Sequence, residues 1–234
     1  MSALTHFIEL RSRLIRASLV VAALFLGLFT IDEKLYTFIA TPLLRQLPKG
    51  HALIAIDVTT PFTVPLKLAF VTALLLAAPF IFYEIWSFIA PGLYRHEKKR
   101  LYPLLSASLF LFYSGILFSY WIICPLALSF FAKAAPHNVL VMTDIKAYLD
   151  FVLTVLLAGG IAFQVPVITI ALVQLNIVSV ALLEHLRPYV IVGAFTVGML
   201  LTPPDVISQI LLALPMWGLF EVSLLIAKRY STMR

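Results

Sequence analysis

Two carboxylates, Glu9 and Glu97, stand out because each lies among basic residues near the end of an apolar segment. A carboxylate receives a guanidinium group through two parallel charge-assisted hydrogen bonds, which strengthen where the dielectric constant is low. Two separated carboxylates could therefore receive two arginines of one peptide. The surrounding cations would keep both carboxylates ionised and would disfavour a ligand of the wrong geometry.

The stretch 88–100 holds Glu97 and four cations, and Pro91-Gly92 breaks any helix in it. Its cations are Arg95, Lys98, Lys99 and Arg100. An ordinary loop with an internal salt bridge explains this spacing as well as a binding site for an incoming cation does. Both interpretations remain open at this point.

The composition determines where such a site would lie. Of the 234 residues, 62% are hydrophobic and 12% are charged, and the mean hydropathy is +1.03. A soluble domain of this length cannot bury so much apolar surface, so the chain is predicted to be a polytopic membrane protein. The apolar stretches are long and lack alternation, which favours helices over a β-barrel. A single integral membrane domain over residues 1–234 is expected.

Six apolar segments are predicted, at about residues 14–31, 65–88, 102–131, 148–176, 189–201 and 206–227. With both termini in the cytoplasm, the inner face carries eleven Lys and Arg residues and the outer face six. This asymmetry favours cytoplasmic termini. The first turn, with Phe7, Leu10 and Leu14 on one face, is expected to lie along the inner interface.

The fifth segment is short for a membrane span. Its 13 residues extend roughly 20 Å, against about 30 Å of hydrocarbon. The last two segments are therefore predicted to form a hairpin of short helices that thins the bilayer or leans on a partner. A re-entrant pair that never spans is the alternative.

Several local signals shape the remaining segments. In the long outer loop 32–64, Thr41 followed by Pro42 predicts a short helix over residues 43–47. Pro125 is expected to bend the third segment, and Thr143 or Asp144 to cap the fourth.

Ionisable and strongly polar residues are rare inside the spans. Glu84 and Glu221 lie near the inner ends of the second and sixth segments, where interfacial snorkelling or helix capping explains them. Gln164 lies near the middle of the fourth, beside Pro166, which frees a backbone carbonyl. Its amide is expected to bond that carbonyl or a helix of the same chain, or to accept a polar group from another transmembrane helix.

The usual catalytic and cofactor motifs are missing from the sequence. His96-Glu97 begins like a zinc motif, but Arg100 occupies the position of the second histidine. The five histidines are scattered, the single Cys124 cannot form an intrachain disulfide, and no nucleophile elbow or phosphate-binding loop is present. No catalytic residue, metal, cofactor or nucleic-acid partner is therefore expected, and the chain is not predicted to be an enzyme.

Motifs spread over nearly the whole length resemble those of the TatC family of the twin-arginine translocase. They are His6-Phe7-Ile8-Glu9-Leu10-Arg11-Ser12-Arg13, Phe88-Ile89-Ala90-Pro91-Gly92-Leu93-Tyr94 with Glu97, Phe163-Gln164-Val165-Pro166, Arg187-Pro188-Tyr189, and Gly198-Met199-Leu200-Leu201-Thr202-Pro203-Pro204-Asp205. The resemblance implies an all-α, glove-shaped, concave bundle of six transmembrane helices in the bacterial inner membrane. It also implies the signal-peptide receptor of the Tat pathway, which exports folded proteins on the protonmotive force.

The resemblance also implies partners, which are single-span TatA and TatB subunits, signal peptides of folded cargo proteins, membrane lipid and further copies of the chain itself. Site residues follow by position. The signal-peptide group is Glu9, Glu97, Phe88, Leu10 and Arg11. The group for a partner helix is Gln164, Met199 and Thr202. Pro42 and Asp205 match positions with a structural role.

One position departs from the family pattern. The family commonly has a glutamate where this chain has Gln164, and a neutral amide cannot titrate, so no proton is carried there. A proton-coupled transporter of small molecules is the rival function. It predicts inverted repeats and charges near the membrane midplane, and the sequence shows neither.

Overall fold

The computed structural model describes residues 3–30, 54–89, 101–134, 144–175, 177–201 and 206–232. Within these ranges the regular structure is helical, apart from one isolated parallel bridge between Ile54 and Asp144. The helices are α1 (Ala3–Phe29), α2 (Thr60–Ile89), α3 (Leu101–Phe118), a π-helical turn (Ser119–Ile123), α4 (Cys124–Ala134), α5 (Ile145–Ala162), α6 (Val165–Gln174), α7 (Val180–His185), α8 (Arg187–Leu201) and α9 (Val206–Thr232). The predicted helix at residues 43–47 lies outside the described residues.

Five helical stretches in the described ranges are long and apolar enough to cross a membrane. They are Phe7–Phe29, Thr60–Ile89, Tyr102–Phe130, Ile145–Gln174 and Gln209–Arg229. A sixth apolar helix, Arg187–Leu200, is shorter. The prediction of an all-helical membrane protein is confirmed, and the fifth predicted segment is short, as expected. The last helix differs from the expected short hairpin, because α9 runs through Pro215 for 27 residues.

The chain divides into two compact units. Unit 1 comprises Met1–Leu109 and Met142–Leu149, and unit 2 comprises Phe110–Val141 and Asp150–Arg234. The sequence predicted one integral membrane domain over the whole chain, and that remains a prediction.

Unit 1 is built on the packing of α1 against α2. Small residues of α2, including Ala69 and Ala73, are fully buried, and Phe25 of α1 meets Phe70 of α2 edge to face at 6.1 Å between ring centroids. The predicted interfacial segment before the first span is not separate, because residues 3–29 form one continuous helix. Its first turns therefore continue directly into the span.

At the other end of unit 1, Asp144 caps α5 by accepting a hydrogen bond from the Lys146 amide at 3.2 Å. This confirms one of the two predicted caps. The Lys146 ammonium also bonds Asp57 at 2.8 Å, and the Ile145 amide donates to the Ile54 carbonyl at 3.0 Å. These bonds tie the segment before α2 to the start of α5.

Unit 2 is organised around α9, which packs on α6 and α8. Leu183, Phe220 and Leu224 form a buried apolar cluster, with several valines of α6 to α8 packed against it. Nearer the start of α9, the Gln209 side-chain amide donates to the Phe195 carbonyl at 2.9 Å. This bond fastens α9 to the short helix α8.

Two irregularities interrupt the long helices of unit 2. Before Pro125 the helix widens into a π-helical turn, in which the Cys124 amide donates to the Ser119 carbonyl. Proline has no amide proton to continue the ladder, so an irregular turn beside it is expected. The second interruption lies at Gln164, where α5 ends at Ala162 and α6 begins at Val165. Pro166 causes this break for the same reason.

Glycines bring α3 and α5 into close contact within unit 2. A Cβ atom at Gly115 would collide with the Gly159 carbonyl and would lie 2.9 Å from the Phe163 Cβ. A Cβ atom at Gly159 would collide with the Ser119 hydroxyl. The Ser119 side chain is fully buried and has no hydrogen-bond partner among the described residues. Only glycine fits at these two positions.

Candidate functional site

The predicted carboxylate Glu9 lies in the first turns of α1 and is bound by a cation of its own helix. Arg13, four residues later, donates from Nη2 and Nε to Glu9 Oε1, at 2.7 and 3.1 Å. Residues four apart lie on the same face of a helix, which explains the pairing. Both bonds fall on Oε1, so Oε2 receives no donor from the described residues.

Glu84 of α2 faces this pair and joins it to a second helix. Its side chain is only 5% exposed, and its Oε2 accepts a hydrogen bond from Arg13 Nη1 at 2.9 Å. Arg16 Nη1 lies 3.3 Å from its Oε1. The predicted snorkelling of Glu84 into the interface is therefore wrong, because two guanidinium groups supply the charge that a buried carboxylate requires. We call Glu9, Arg13, Arg16 and Glu84 the charge cluster.

The register of α1 and α2 brings two predicted site residues to one level. Arg13 meets Glu84 and Phe25 meets Phe70, so the two helices run antiparallel. Moving one turn back from Arg13 to Glu9 corresponds to moving one turn forward from Glu84 to Phe88. Phe88 is partly buried at that level, and Leu10 and Arg11 are exposed beside Glu9.

The other predicted carboxylate, Glu97, lies outside the described residues. The two helices that flank its loop are joined by a buried hydrogen bond, from Trp86 Nε1 of α2 to Ser108 Oγ of α3, at 3.0 Å. This bond ties α2 to α3, two residues after Glu84 on α2. The start and end of the loop are therefore anchored on unit 1.

The predicted partner-helix residues lie in unit 2. Gln164 is buried at the break between α5 and α6, and its backbone amide donates to the Ile161 carbonyl at 2.9 Å. Met199 is 56% exposed on α8, and its neighbour Gly198 packs against Gln209 of α9. Thr202, Pro42 and Asp205 lie outside the described residues.

Ion pairs in unit 2 are more exposed than the Arg13–Glu84 pair of the charge cluster. Arg187 Nη2 lies 3.0 Å from Glu221 Oε2, and Lys228 bonds Glu184. The Lys228 ammonium holds the pKa of the Glu184 carboxyl below its ordinary value. Glu221 is thus held by a cation of α8. In the described part of the chain, no three His, Cys, Asp or Glu residues are grouped as a metal site.

Sequence reasoning missed the link between Arg13 and Glu84. A signal for it was present, because both residues lie near the inner ends of consecutive predicted spans. Consecutive spans joined by one loop run antiparallel, so their inner ends meet. A buried carboxylate at such an end needs a cation from the neighbouring span.

This helical membrane architecture can be compared with known proteins. The family model of the Sec-independent protein translocase protein (TatC) matches residues 5–215. The chain belongs to the TatC family. The TatC of Haemophilus influenzae is 48% identical over 227 residues, which are 97% of this chain and 89% of that protein. The chloroplastic TATC of Arabidopsis thaliana is 38% identical over 221 residues, 94% of this chain and 64% of that protein.

A solved TatC structure shares the fold. A crystal structure described as the twin arginine translocase receptor TatC superposes with a TM-score of 0.86 at 34% identity, covering 97% of this chain and 99% of that one. The predicted family, and the predicted role as the TatC component of the Sec-independent protein translocase, are confirmed. TatC proteins work within a translocase complex, so the chain has partner subunits.

Proposed function

We propose that the chain receives twin-arginine signal peptides at the cytoplasmic ends of α1 and α2. Glu9 and Glu97 each accept one guanidinium group of the peptide, and Phe88 with Leu10 and Arg11 borders the site. The observation that carries this proposal is the geometry of Glu9. Its carboxylate already holds a guanidinium group, that of Arg13, and it is 28% exposed.

The position of Phe88 supports the same site. It lies at the level of Glu9 on the neighbouring helix, and the loop with Glu97 begins immediately after α2. An aromatic side chain there gives the aliphatic part of an arginine a surface to pack on. With Glu9 at the level of Phe88 and Glu97 in the loop that follows Phe88 in the sequence, two carboxylates are available for a peptide with two consecutive arginines.

Membership of the TatC family supports a wider proposal. Both termini lie in the cytoplasm, the membrane is the bacterial inner membrane, and export of folded proteins is driven by the protonmotive force. Single-span TatA and TatB helices dock at Gln164, Met199 and Thr202, and copies of the chain associate in the receptor complex. The exposed Met199 on the short helix α8 supports this docking surface, because α8 is too short to cover the hydrocarbon core alone.

Peptide binding to the purified full chain in detergent tests the receptor role. We expect a twin-arginine signal peptide to bind the wild type well and its twin-lysine counterpart to bind poorly. Glu9→Gln and Glu97→Gln should each weaken binding of the twin-arginine peptide by at least tenfold, since a charged hydrogen bond is worth about 1.5–3 kcal/mol. Glu221→Gln, the same change in unit 2, is the matched control and should bind like the wild type. Equal binding of both peptides, or no effect of either substitution, contradicts the proposal.

A further inference from the structure

The charge cluster contains two carboxylates and two guanidinium groups, so it is electrically balanced without a ligand. Its members differ in access to solvent. The side chains of Glu84 and Arg13 are 5% and 17% exposed, whereas that of Arg16 is 53% exposed. An arriving guanidinium group adds a positive charge to this set. An arriving guanidinium group that binds Glu9 through both carboxylate oxygens needs Oε1, which an internal cation occupies.

Arg13 is the internal cation that occupies Glu9. Both of its bonds to Glu9 fall on Oε1, so a peptide arginine that binds both oxygens of Glu9 must displace Arg13 from Oε1. We propose that Arg13 is a built-in competitor of the signal peptide and that Glu84 is the positioning residue that takes Arg13 over when the peptide binds. This inference rests on the proposed receptor function.

The distances define the exchange. Arg13 already donates from Nη1 to Glu84 Oε2 at 2.9 Å, so its transfer needs a side-chain rotation and no helix movement. The second oxygen of Glu84 is occupied by Arg16 at 3.3 Å, the longest ion-pair distance in the cluster. Because Arg16 is also the most exposed member, it moves to water. Glu9 then pairs with the peptide and Glu84 with Arg13.

This exchange also predicts discrimination against lysine. A guanidinium group on the peptide replaces the one it displaces with an equivalent set of donors. An ammonium group is a point charge that cannot reproduce the two-bond geometry, so it fails to displace Arg13. A peptide must therefore bind Glu9 more strongly than Arg13 does. This competition gives specificity for arginine over lysine.

A double-mutant experiment on the full chain in detergent tests the exchange with twin-arginine and twin-lysine peptides. In Glu84→Gln, Arg13 has only Glu9 as a carboxylate partner and holds it more firmly. The affinity for the twin-arginine peptide should fall about tenfold, the scale of one charged hydrogen bond. In Arg13→Gln/Glu84→Gln the competitor is gone, and the affinity should return to within about threefold of the wild type. Arg13→Gln alone should narrow the affinity ratio between the two peptides.

The outcomes separate this inference from the receptor function. Unchanged affinity in Glu84→Gln, or a double variant as weak as Glu84→Gln, overturns the exchange. A purely structural role for Glu84 also predicts no recovery in the double variant. If instead Glu9→Gln leaves wild-type binding intact, the receptor function itself fails.

Two further variants complete the test. Arg16→Gln vacates an oxygen of Glu84 and should strengthen binding of the twin-arginine peptide, even if Glu84→Gln does not fold. Equal or weaker binding in Arg16→Gln overturns the exchange. Glu221→Gln is again the matched control, because it removes a carboxylate partner of an arginine in unit 2.

Discussion

The charge cluster of unit 1 and the close contact of Gly115 with Gly159 in unit 2, here called the glycine contact, join membrane helices in opposite ways. In lipid, apolar side chains give little net attraction between helices, so close packing and polar bonds must join them. The charge cluster uses four side chains, one of which, Arg13, bonds two carboxylates at once. The glycine contact places Gly115 and Gly159 so close that neither accommodates a Cβ atom.

The difference shows what each contact is suited to do. Bonds in the charge cluster can be redistributed by rotating side chains, while α1 and α2 stay in place. The glycine contact has no side chain to rotate, so the spacing of α3 and α5 is fixed by backbone atoms. A ligand-exchange site therefore belongs on the first kind of contact, and a rigid support on the second. Each of the following predictions tests one side of this comparison.

The glycine contact should give the largest loss of stability. Gly159→Val would force α3 and α5 apart, since even one added carbon collides with Ser119. We expect the free energy of unfolding to fall by more than about 3 kcal/mol, measured by thermal unfolding in detergent followed by circular dichroism. Gly193→Ala is the control, because nothing lies within 4 Å of its added Cβ, and it should stay within about 1 kcal/mol of the wild type. Similar losses in both variants would refute the close-contact explanation.

Substitution in the charge cluster should give the second largest loss of stability. Glu84→Ala leaves two arginines with Glu9 as their only carboxylate in the charge cluster, and breaking a buried ion pair costs about 3 kcal/mol at the lower end of its range. The matched change Glu221→Ala removes a partly exposed pair and should cost less than about 1 kcal/mol. The melting temperatures of the two variants, measured in the same detergent, should show a larger decrease for Glu84→Ala than for Glu221→Ala. Equal shifts would mean that burial does not distinguish the two pairs.

Ser119→Ala, a substitution beside the glycine contact, should stabilise the protein instead of destabilising it. The serine hydroxyl is buried against Gly159 and has no hydrogen-bond partner in the described part of the chain. Removing an unsatisfied buried hydroxyl gains about 1 kcal/mol. A raised melting temperature is expected, with Ser106→Ala on the exposed surface as the control. A lowered melting temperature would show that the hydroxyl has a favourable role.

The smallest effect concerns pH and the exposed pair in unit 2. Because Lys228 lowers the pKa of Glu184, the pair stabilises the fold above the ordinary pKa of 4.5, and this contribution is lost as the pH falls through the lowered value. The wild type should therefore melt slightly above Glu184→Gln at pH 7, and the gap should close in acid. A gap that is constant from pH 7 to pH 3 would contradict the ion-pair explanation.

Particular residues show how far sequence reasoning reached into the fold. The apolar segments predicted the spanning helices, since a stretch without charges has few stable positions outside lipid. The cap at Asp144 was also predicted, because it depends on residues that adjoin in sequence. Pro166 was predicted to free a backbone carbonyl, but the division of the fourth segment into two helices beside it was not predicted. Glu84 was misread, because its burial depends on Arg13 and Arg16, which are about 70 residues away in the chain.

In the candidate site too, the sequence identified individual residues, and the tertiary structure determined which of them lie close together. Glu9 and Phe88 were selected from the sequence, and the antiparallel register of α1 and α2 places them at one level. Their pairing with a peptide remains a prediction, as do the roles of Leu10, Arg11 and Glu97. The partner-helix roles of Gln164, Met199 and Thr202, and the structural roles of Pro42 and Asp205, also remain predictions.

By itself the sequence determined the membrane class, the helical spans and the motifs of the TatC family. Each of these depends on the composition of a segment or on residues that are neighbours in the sequence, so it can be recognised without knowing the tertiary contacts. Only the tertiary structure decided that Arg13 lies between Glu9 and Glu84, and that glycines set the spacing of α3 and α5. Such contacts depend on the rotation and register of helices distant in sequence, and apolar periodicity leaves both undetermined in a span that is apolar on every side.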